Sequence, residues 1–274
     1  MFVTRVISGI VLVILALATI LTGGYLLAAV LLFLALTAFH ELMKASELTN
    51  EQSKINGLEV IGYVGIVAYY LLMVFVEERM LLFMALITIL VGFMFLYVFT
   101  FPKYRAEQIM SAFFCVAYAH VMLSFIYLVR DLPYGIYTVW MIFISSWICD
   151  TCAYFSGMLL GKHKLAPVLS PKKSIEGAIG GVLGSAAVGA LYAYFIAEAA
   201  ISEQKITWIF VLISAIGAVV SQVGDLAASA IKRNHEIKDY GKLIPGHGGV
   251  MDRFDSVIFT APMIYFLTFL LIHG

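Results

Sequence analysis

The sequence predicts an all-α polytopic membrane protein of about nine transmembrane helices, N-terminus in the cytoplasm and C-terminus outside. Three observations predict it. Of the 274 residues, 62% are hydrophobic and only 12% charged, about half the charge of a soluble domain. Apolar stretches of roughly 18 residues or more, each long enough to cross a bilayer as a helix, recur along the chain. The basic residues divide between alternate connections as the positive-inside rule requires. A membrane β-barrel would show short alternating segments instead.

The spans fall at roughly 6–22, 25–42, 58–76, 80–100, 109–129, 136–160, 175–198, 206–228 and 255–272. The first follows Arg5 but is long for a signal-peptide core and lacks a convincing small-residue cleavage site, so it is read as a retained helix. The second ends in His40 and Glu41, which could border a site, although an interfacial polar pair at a helix end is ordinary. The third and fourth carry no evident chemistry. The fifth holds His120, expected to hydrogen-bond a neighbouring helix. The sixth holds Asp150 and a Cys149-x-x-Cys152 pair which, with Cys115, reads as small packing residues rather than a redox or metal site. The seventh carries Gly177, Gly181, Ser185 and Gly189 at four-residue spacing, a small-residue stripe that lets another helix approach closely. Gly157 and Gly161 make a similar pair. The eighth carries Ser221 and Asp225, and the ninth follows a polar, glycine-rich run. No internal repeat of the kind found in transporters is visible.

Net charge is zero, but its distribution is lopsided. One side of the membrane receives Arg5, Lys44, Lys54, Lys103, Arg105, Lys162, Lys164, Lys172, Lys173, Lys232, Arg233, Lys238, Lys242 and Arg253, which is 14 of the 17 basic residues. The other side receives Arg79, Arg130 and Lys205. A wrong span count would scramble this asymmetry.

Two regions follow: N-terminal helices over 1–135, about five spans, and a chemically richer region over 136–274, about four spans, with basic cytoplasmic loops. Asp150 lies about 16 Å, and Asp225 about 10 Å, from the cytoplasmic ends of their helices at 1.5 Å per residue. An ionised carboxylate at such depth needs a partner or a wet cavity. Ser221, Asp225, Ser229 and Lys232 fall on one helix face, a polar stripe leading inward. In Ser170-Pro-Lys-Lys-Ser174, Ser170 reads as an N-cap and Pro171 as the first helical residue. The seventh helix would then open with unpaired N–H groups beside Lys172 and Lys173, a phosphate-binding combination. The alternative is a basic loop that sets topology or touches anionic lipid. Pro245-Gly-His-Gly-Gly249 allows a sharp turn that exposes backbone N–H groups to a ligand. It runs into Asp252 and Asp255, which with Asp225 suit a hard divalent cation. His235 and His247 lack zinc-site spacing. The set reads as a site for metal and polyphosphate at the cytoplasmic membrane surface.

The order Ser229-x-Ile-Lys-Arg233, four residues, Lys238-Asp-x-Gly241, two residues, Ile244-Pro-x-His-Gly-Gly-Val-x-Asp-Arg-Phe-Asp255 resembles the signature of the phosphatidate cytidylyltransferase (CDP-diacylglycerol synthase) family without departure. Asp150-Thr-x-Ala-Tyr154, Gly161-Lys162 and Ser170-Pro-Lys-Lys-Ser-x-Glu-Gly177 are similar to it too. The resemblance covers about 150–256; residues 1–135 match only in hydropathy. It implies that CTP and phosphatidate give CDP-diacylglycerol and pyrophosphate, a step of phospholipid biosynthesis, with Mg²⁺ required. Implied metal ligands are Asp225, Asp252 and Asp255. Lys232, Arg233, Lys238, Asp239 and Arg253 join Asp225 and Asp252 as implied catalytic residues. Asp150, Lys172, Lys173, Ser174, Ser229, His247, Gly248 and Gly249 are implied substrate contacts. A homodimer and a second, monovalent cation (K⁺) are further implications, as is a multi-pass protein of the inner cell membrane with its site facing the cytoplasm. No nucleic-acid partner is expected. The competing readings are a CTP-dependent polyprenol or dolichol kinase, which would move the γ-phosphoryl group, and a transporter of an anionic metabolite.

Overall fold

The computed structural model of the protein describes residues 2–49, 55–76, 78–201, 206–246 and 248–273. Its helices are α1 (Phe2–Thr22), α2 (Gly24–Ala45), α3 (Gly57–Phe75), α4 (Met80–Thr100), α5 (Ala106–Asp131), α6 (Gly135–Leu160), α7 (Ile175–Ala197), α8 (Ile206–Asn234) and α9 (Met251–Ile272). Each matches one expected span. Eight of them, α2 to α9, are long and apolar enough to cross a membrane, and α1 contributes the shorter apolar run Gly9–Thr22. Large apolar side chains face outward, Phe83, Phe95 and Phe99 of α4 among them, a surface suited to lipid rather than water.

Two departures matter for the site. Helix α8 continues to Asn234 and α9 begins at Met251, so both helices are longer at their polar ends than their apolar runs suggest. No glycine or proline interrupts 226–234, and the stop comes where Glu236 takes a left-handed conformation, φ 55°. The second departure corrects the expected start of the seventh helix. Ser170–Ser174 is a strand, β2, paired antiparallel with β1 (Lys164–Ala166), Ala166 opposite Ser170 and Lys164 opposite Ser174. Pro171 tolerates this extended geometry in a short two-stranded ribbon, where a missing N–H costs little. The N-cap is Ser174, whose Oγ accepts the Gly177 N–H at 3.1 Å. Lys172 and Lys173 therefore stand on the strand before the helix, not in its first turn.

The chain divides into two compact units, Met1–Ser124 with Ile237–Arg253, and Phe125–Glu236 with Phe254–Gly274. In the first, Phe39, Leu42 and Met43 of α2 are buried, and a Cβ at Gly62 of α3 would meet the Phe39 ring at 2.1 Å. His120 is fully buried. Its Nδ1 donates to the Val116 carbonyl of its own helix at 2.6 Å, and its ring meets Tyr69 of α3 edge-on at 4.8 Å. Among the described bonds, then, this histidine reaches the neighbouring helix by ring packing, not by the expected hydrogen bond.

In the second unit the small-residue stripe of α7 does what its spacing predicts. Gly177, Gly181, Ser185 and Gly189 are all buried. A Cβ at Gly177 or Gly181 would lie 2.8 or 2.9 Å from the α6 carbonyls of Ala153 and Cys149, so larger residues would force α6 and α7 apart. Cys149 is buried here, as Cys115 is in the first unit, in line with a packing role for these two.

Candidate active site

In the second unit, the charged residues of the membrane helices meet around one ion pair. Lys173 on β2 donates through Nζ to Asp225 Oδ2 on α8. Beside the pair lies a cavity of about 360 Å³ lined by Asp150, Tyr154, Lys172, Lys173, Gln222 and Asp225, with Ser174 at its edge. The two intramembrane aspartates thus border one cavity. Asp255 on α9 is within electrostatic range of Asp225, Asp150 and Lys232. The close α8–α9 approach that allows this runs through Gly224, where a Cβ would sit 2.9 Å from the Asp255 carbonyl.

Because α8 is unbroken to Asn234, Ser221, Asp225, Ser229 and Lys232 do share a face; Ser221 is buried, the other three half-buried, and Arg233 is exposed. Two supports were not evident from sequence. Gln222 donates to the Ala178 carbonyl at 3.0 Å, tying α8 to α7. Glu176, in the first turn of α7, accepts the backbone N–H of Lys162 at 3.1 Å and His163 Nδ1 at 2.6 Å, fixing the chain that leads into the hairpin. A carboxylate two residues after an N-cap was a visible signal; its partners were not.

The first unit holds the second cluster. Lys238, Asp239, Lys242 and Arg253 border a cavity of about 550 Å³ whose walls include Gly241, Gly246 and Gly248. The loop turns through Gly246 and Gly248, with φ of 78° and 86°, and closes with the Ile244 N–H donating to the Gly248 carbonyl at 2.8 Å. Asp252 Oδ2 accepts the N–H groups of Tyr240 at 2.8 Å and Gly249 at 3.0 Å. Glu41, at the end of α2, accepts the Val250 N–H through Oε1 at 3.0 Å and the Met251 N–H through Oε2 at 2.9 Å. The expectation that this run turns its N–H groups toward a ligand is therefore not met at Gly249, whose amide is taken by Asp252. The sequence marked Glu41 only as an interfacial residue that could border a site, with no partner. His247 lies outside the described residues.

Among the described residues, no three His, Cys, Asp or Glu side chains converge into a metal cage. Asp225 and Asp255 offer two carboxylates in one unit. That fits Mg²⁺, which uses one or two carboxylates and fills the rest of its shell with water and substrate phosphates. It does not fit zinc, which takes a tetrahedral set of nitrogen and sulfur donors.

The sequence profile of the cytidylyltransferase family matches residues 3–271. The chain is 31% identical over 265 residues to a Staphylococcus epidermidis protein called phosphatidate cytidylyltransferase, covering 96% of this chain and 97% of that one. A Staphylococcus saprophyticus protein of the same name is 31% identical over 269 residues, with the same coverage. One from Staphylococcus haemolyticus is 38% identical over 165 residues, covering 60% of this chain and 62% of that protein. On the match of almost its whole length, the chain belongs to the cytidylyltransferase family.

Proposed function

We propose that this protein transfers the cytidylyl group of CTP to phosphatidate, giving CDP-diacylglycerol and pyrophosphate, at the cytoplasmic face of the inner cell membrane. The observation that carries the reading is the Lys173–Asp225 pair at a cavity that Asp150 and Lys172 also line, among membrane-spanning helices. A lipid phosphate arriving from the bilayer and a nucleotide arriving from the cytosol need such a place to meet. The family match and the names of full-length relatives support the same reaction.

In the proposed step an oxygen of the phosphatidate phosphate forms a bond to the α-phosphorus of CTP. The bond to the bridging oxygen of the β-phosphate breaks, and pyrophosphate leaves with that electron pair. Where the attacking phosphate binds as the dianion, no side chain need remove a proton. Both reactants are anionic, and the main task of the protein is to hold them together in line. Lys172 and Lys173 offer positive charge beside the cavity that takes the lipid phosphate, with Asp150 and Ser174 at its border. Lys238, Lys242 and Arg253 serve the CTP phosphates, with Gly248, Gly249 and His247 in the same loop, and Asp239 borders the same cavity. Ser229, Lys232 and Arg233 extend the polar face of α8. Bound Mg²⁺ would neutralise the triphosphate and the leaving pyrophosphate. Asp225 and Asp255 would hold it; the family resemblance also implies Asp252, whose Oδ2 is engaged by the loop. A K⁺ requirement and a homodimer are carried forward from the family resemblance.

The test is product identity. Purified protein in detergent, given CTP, phosphatidate and Mg²⁺, should release pyrophosphate and CDP-diacylglycerol in equal amounts. Chelation should stop both and added Mg²⁺ restore both. CDP with a phosphorylated lipid would instead identify a kinase, and absence of product with several lipids would remove the enzyme reading.

A further inference from the structure

We infer that Glu41 is a positioning residue for the nucleotide loop: from α2 it fixes the backbone at the start of α9 and thereby the place where Lys238, Lys242 and Arg253 present their charge. The inference rests on the reading of that loop as the CTP-phosphate site.

The need for such a residue is local. Helix α9 begins at Met251, and the residue before it, Val250, has no polar side chain with which to cap the helix. The first N–H groups of a helix lack intrahelical acceptors and must find others. Val250 and Met251 are buried, which denies them water. Glu41 answers both amides with one carboxylate, one oxygen each, at 3.0 and 2.9 Å. A negative charge at this end of a helix is also favoured by the helix dipole. The same bonds explain how a carboxylate only 5% exposed is tolerated there.

The loop is shaped around this side chain. A Cβ at Gly241 would lie 2.1 Å from Glu41 Oε1, and one at Gly249 2.3 Å from it. Two glycines 8 residues apart in sequence thus leave the space that Glu41 fills. Asp252 completes the arrangement by holding Tyr240 and Gly249. Both ends of the loop, 240–241 and 249–251, are pinned by carboxylates, and the cavity borders Gly241, Gly248, Lys238, Lys242 and Arg253 between them. Arg253 follows Met251 by two residues in the first turn of α9, so a shift of the Met251 amide turns the guanidinium as well.

The experiment compares wild type with Glu41→Gln, Glu41→Asp and Gly241→Ala in detergent. It measures KM for CTP, KM for phosphatidate, kcat, Tm and amide hydrogen exchange of the peptide spanning Val250 and Met251. Glu41→Gln keeps size but sets an NH₂ group against one of the two amides. It should raise KM for CTP about tenfold or more, the effect of losing a charge-assisted bond. KM for phosphatidate should change by less than about twofold, because its contacts are elsewhere. Exchange at 250–251 should quicken while that of α7 does not. Glu41→Asp, which keeps the charge, should recover part of the CTP affinity. Gly241→Ala, which crowds the same carboxylate, should reproduce the CTP-selective rise and supplies the test should Glu41→Gln fail to accumulate. An unchanged KM for CTP in folded Glu41→Gln overturns the inference, as does an equal rise in both KM values. A wild type that makes no CDP-diacylglycerol overturns the functional reading and this role with it. Exchange at 250–251 then still reports whether the clamp exists.

Discussion

At the residue scale, the chemistry of the second unit rests on a lysine and an aspartate that make each other tolerable among apolar helices. Removing Lys173 would leave Asp225 facing a half-buried site without its cation. Loss of one partner from a fully buried pair costs about 3–5 kcal/mol; here the cost should be smaller, because the side chains are 27% and 24% exposed. Lys173→Met should therefore lower Tm modestly while reducing turnover by about 100-fold or more, the scale of losing a preorganised charge. Thermal unfolding and steady-state assays of the same preparation separate the two effects. Gly248 gives a complementary case. It combines φ of 86° with a Cβ position 2.8 Å from Asp252 Oδ2. Gly248→Ala should destabilise the loop by about 1–2 kcal/mol, read as faster amide exchange over 240–251. Asp150 and Asp225 were legible in the sequence because a carboxylate inside an apolar run is conspicuous. Glu41 was not. Its partners are backbone amides 209 and 210 residues away, and an amide leaves no mark in a sequence.

At the element scale, the hairpin shows where local reading fails. Ser-Pro-Lys-Lys-Ser carries a real capping signal, but two serines compete for it, and the pairing of 170–174 with 164–166 settles the matter. Strand pairing is non-local, and lysine and proline are poor strand formers, so nothing in the stretch itself announced β2. The outcome places Lys173 against Asp225, which a lysine in the first turn of α7 was not predicted to do. Ser174→Ala should remove the cap and cost about 1 kcal/mol, measured as a lower Tm, with the α7 start losing exchange protection first. Helix α8 illustrates the opposite failure. Its apolar run ends near 228, but the backbone has no reason to stop before Glu236. The polar last turns therefore belong to the helix and keep Ser229 and Lys232 in line with Asp225. The α7 stripe, by contrast, was fully legible, since small residues at four-residue spacing have few uses other than close helix contact.

At the scale of the whole molecule, the number and order of apolar helices were readable from the sequence because a bilayer imposes a minimum length. Orientation is an expectation from charge alone: alternating connections would put 14 basic residues on one side against three on the other. Single cysteines at Lys242 and Asp131, tested in intact cells and inverted vesicles with a membrane-impermeant maleimide, should label from opposite sides, Lys242→Cys only from the cytoplasm. The measurement that bears most directly on the central claim follows the nucleotide itself. Wild type and folded Asp225→Asn would be given [α-³²P]CTP, phosphatidate and Mg²⁺, and the label in lipid counted against pyrophosphate released. The expected result is one labelled CDP-diacylglycerol per pyrophosphate in wild type, reduced about 100-fold or more in Asp225→Asn. Label that stays in water-soluble nucleotide in wild type, or enters lipid equally well in Asp225→Asn, would contradict cytidylyl transfer at the Lys173–Asp225 centre.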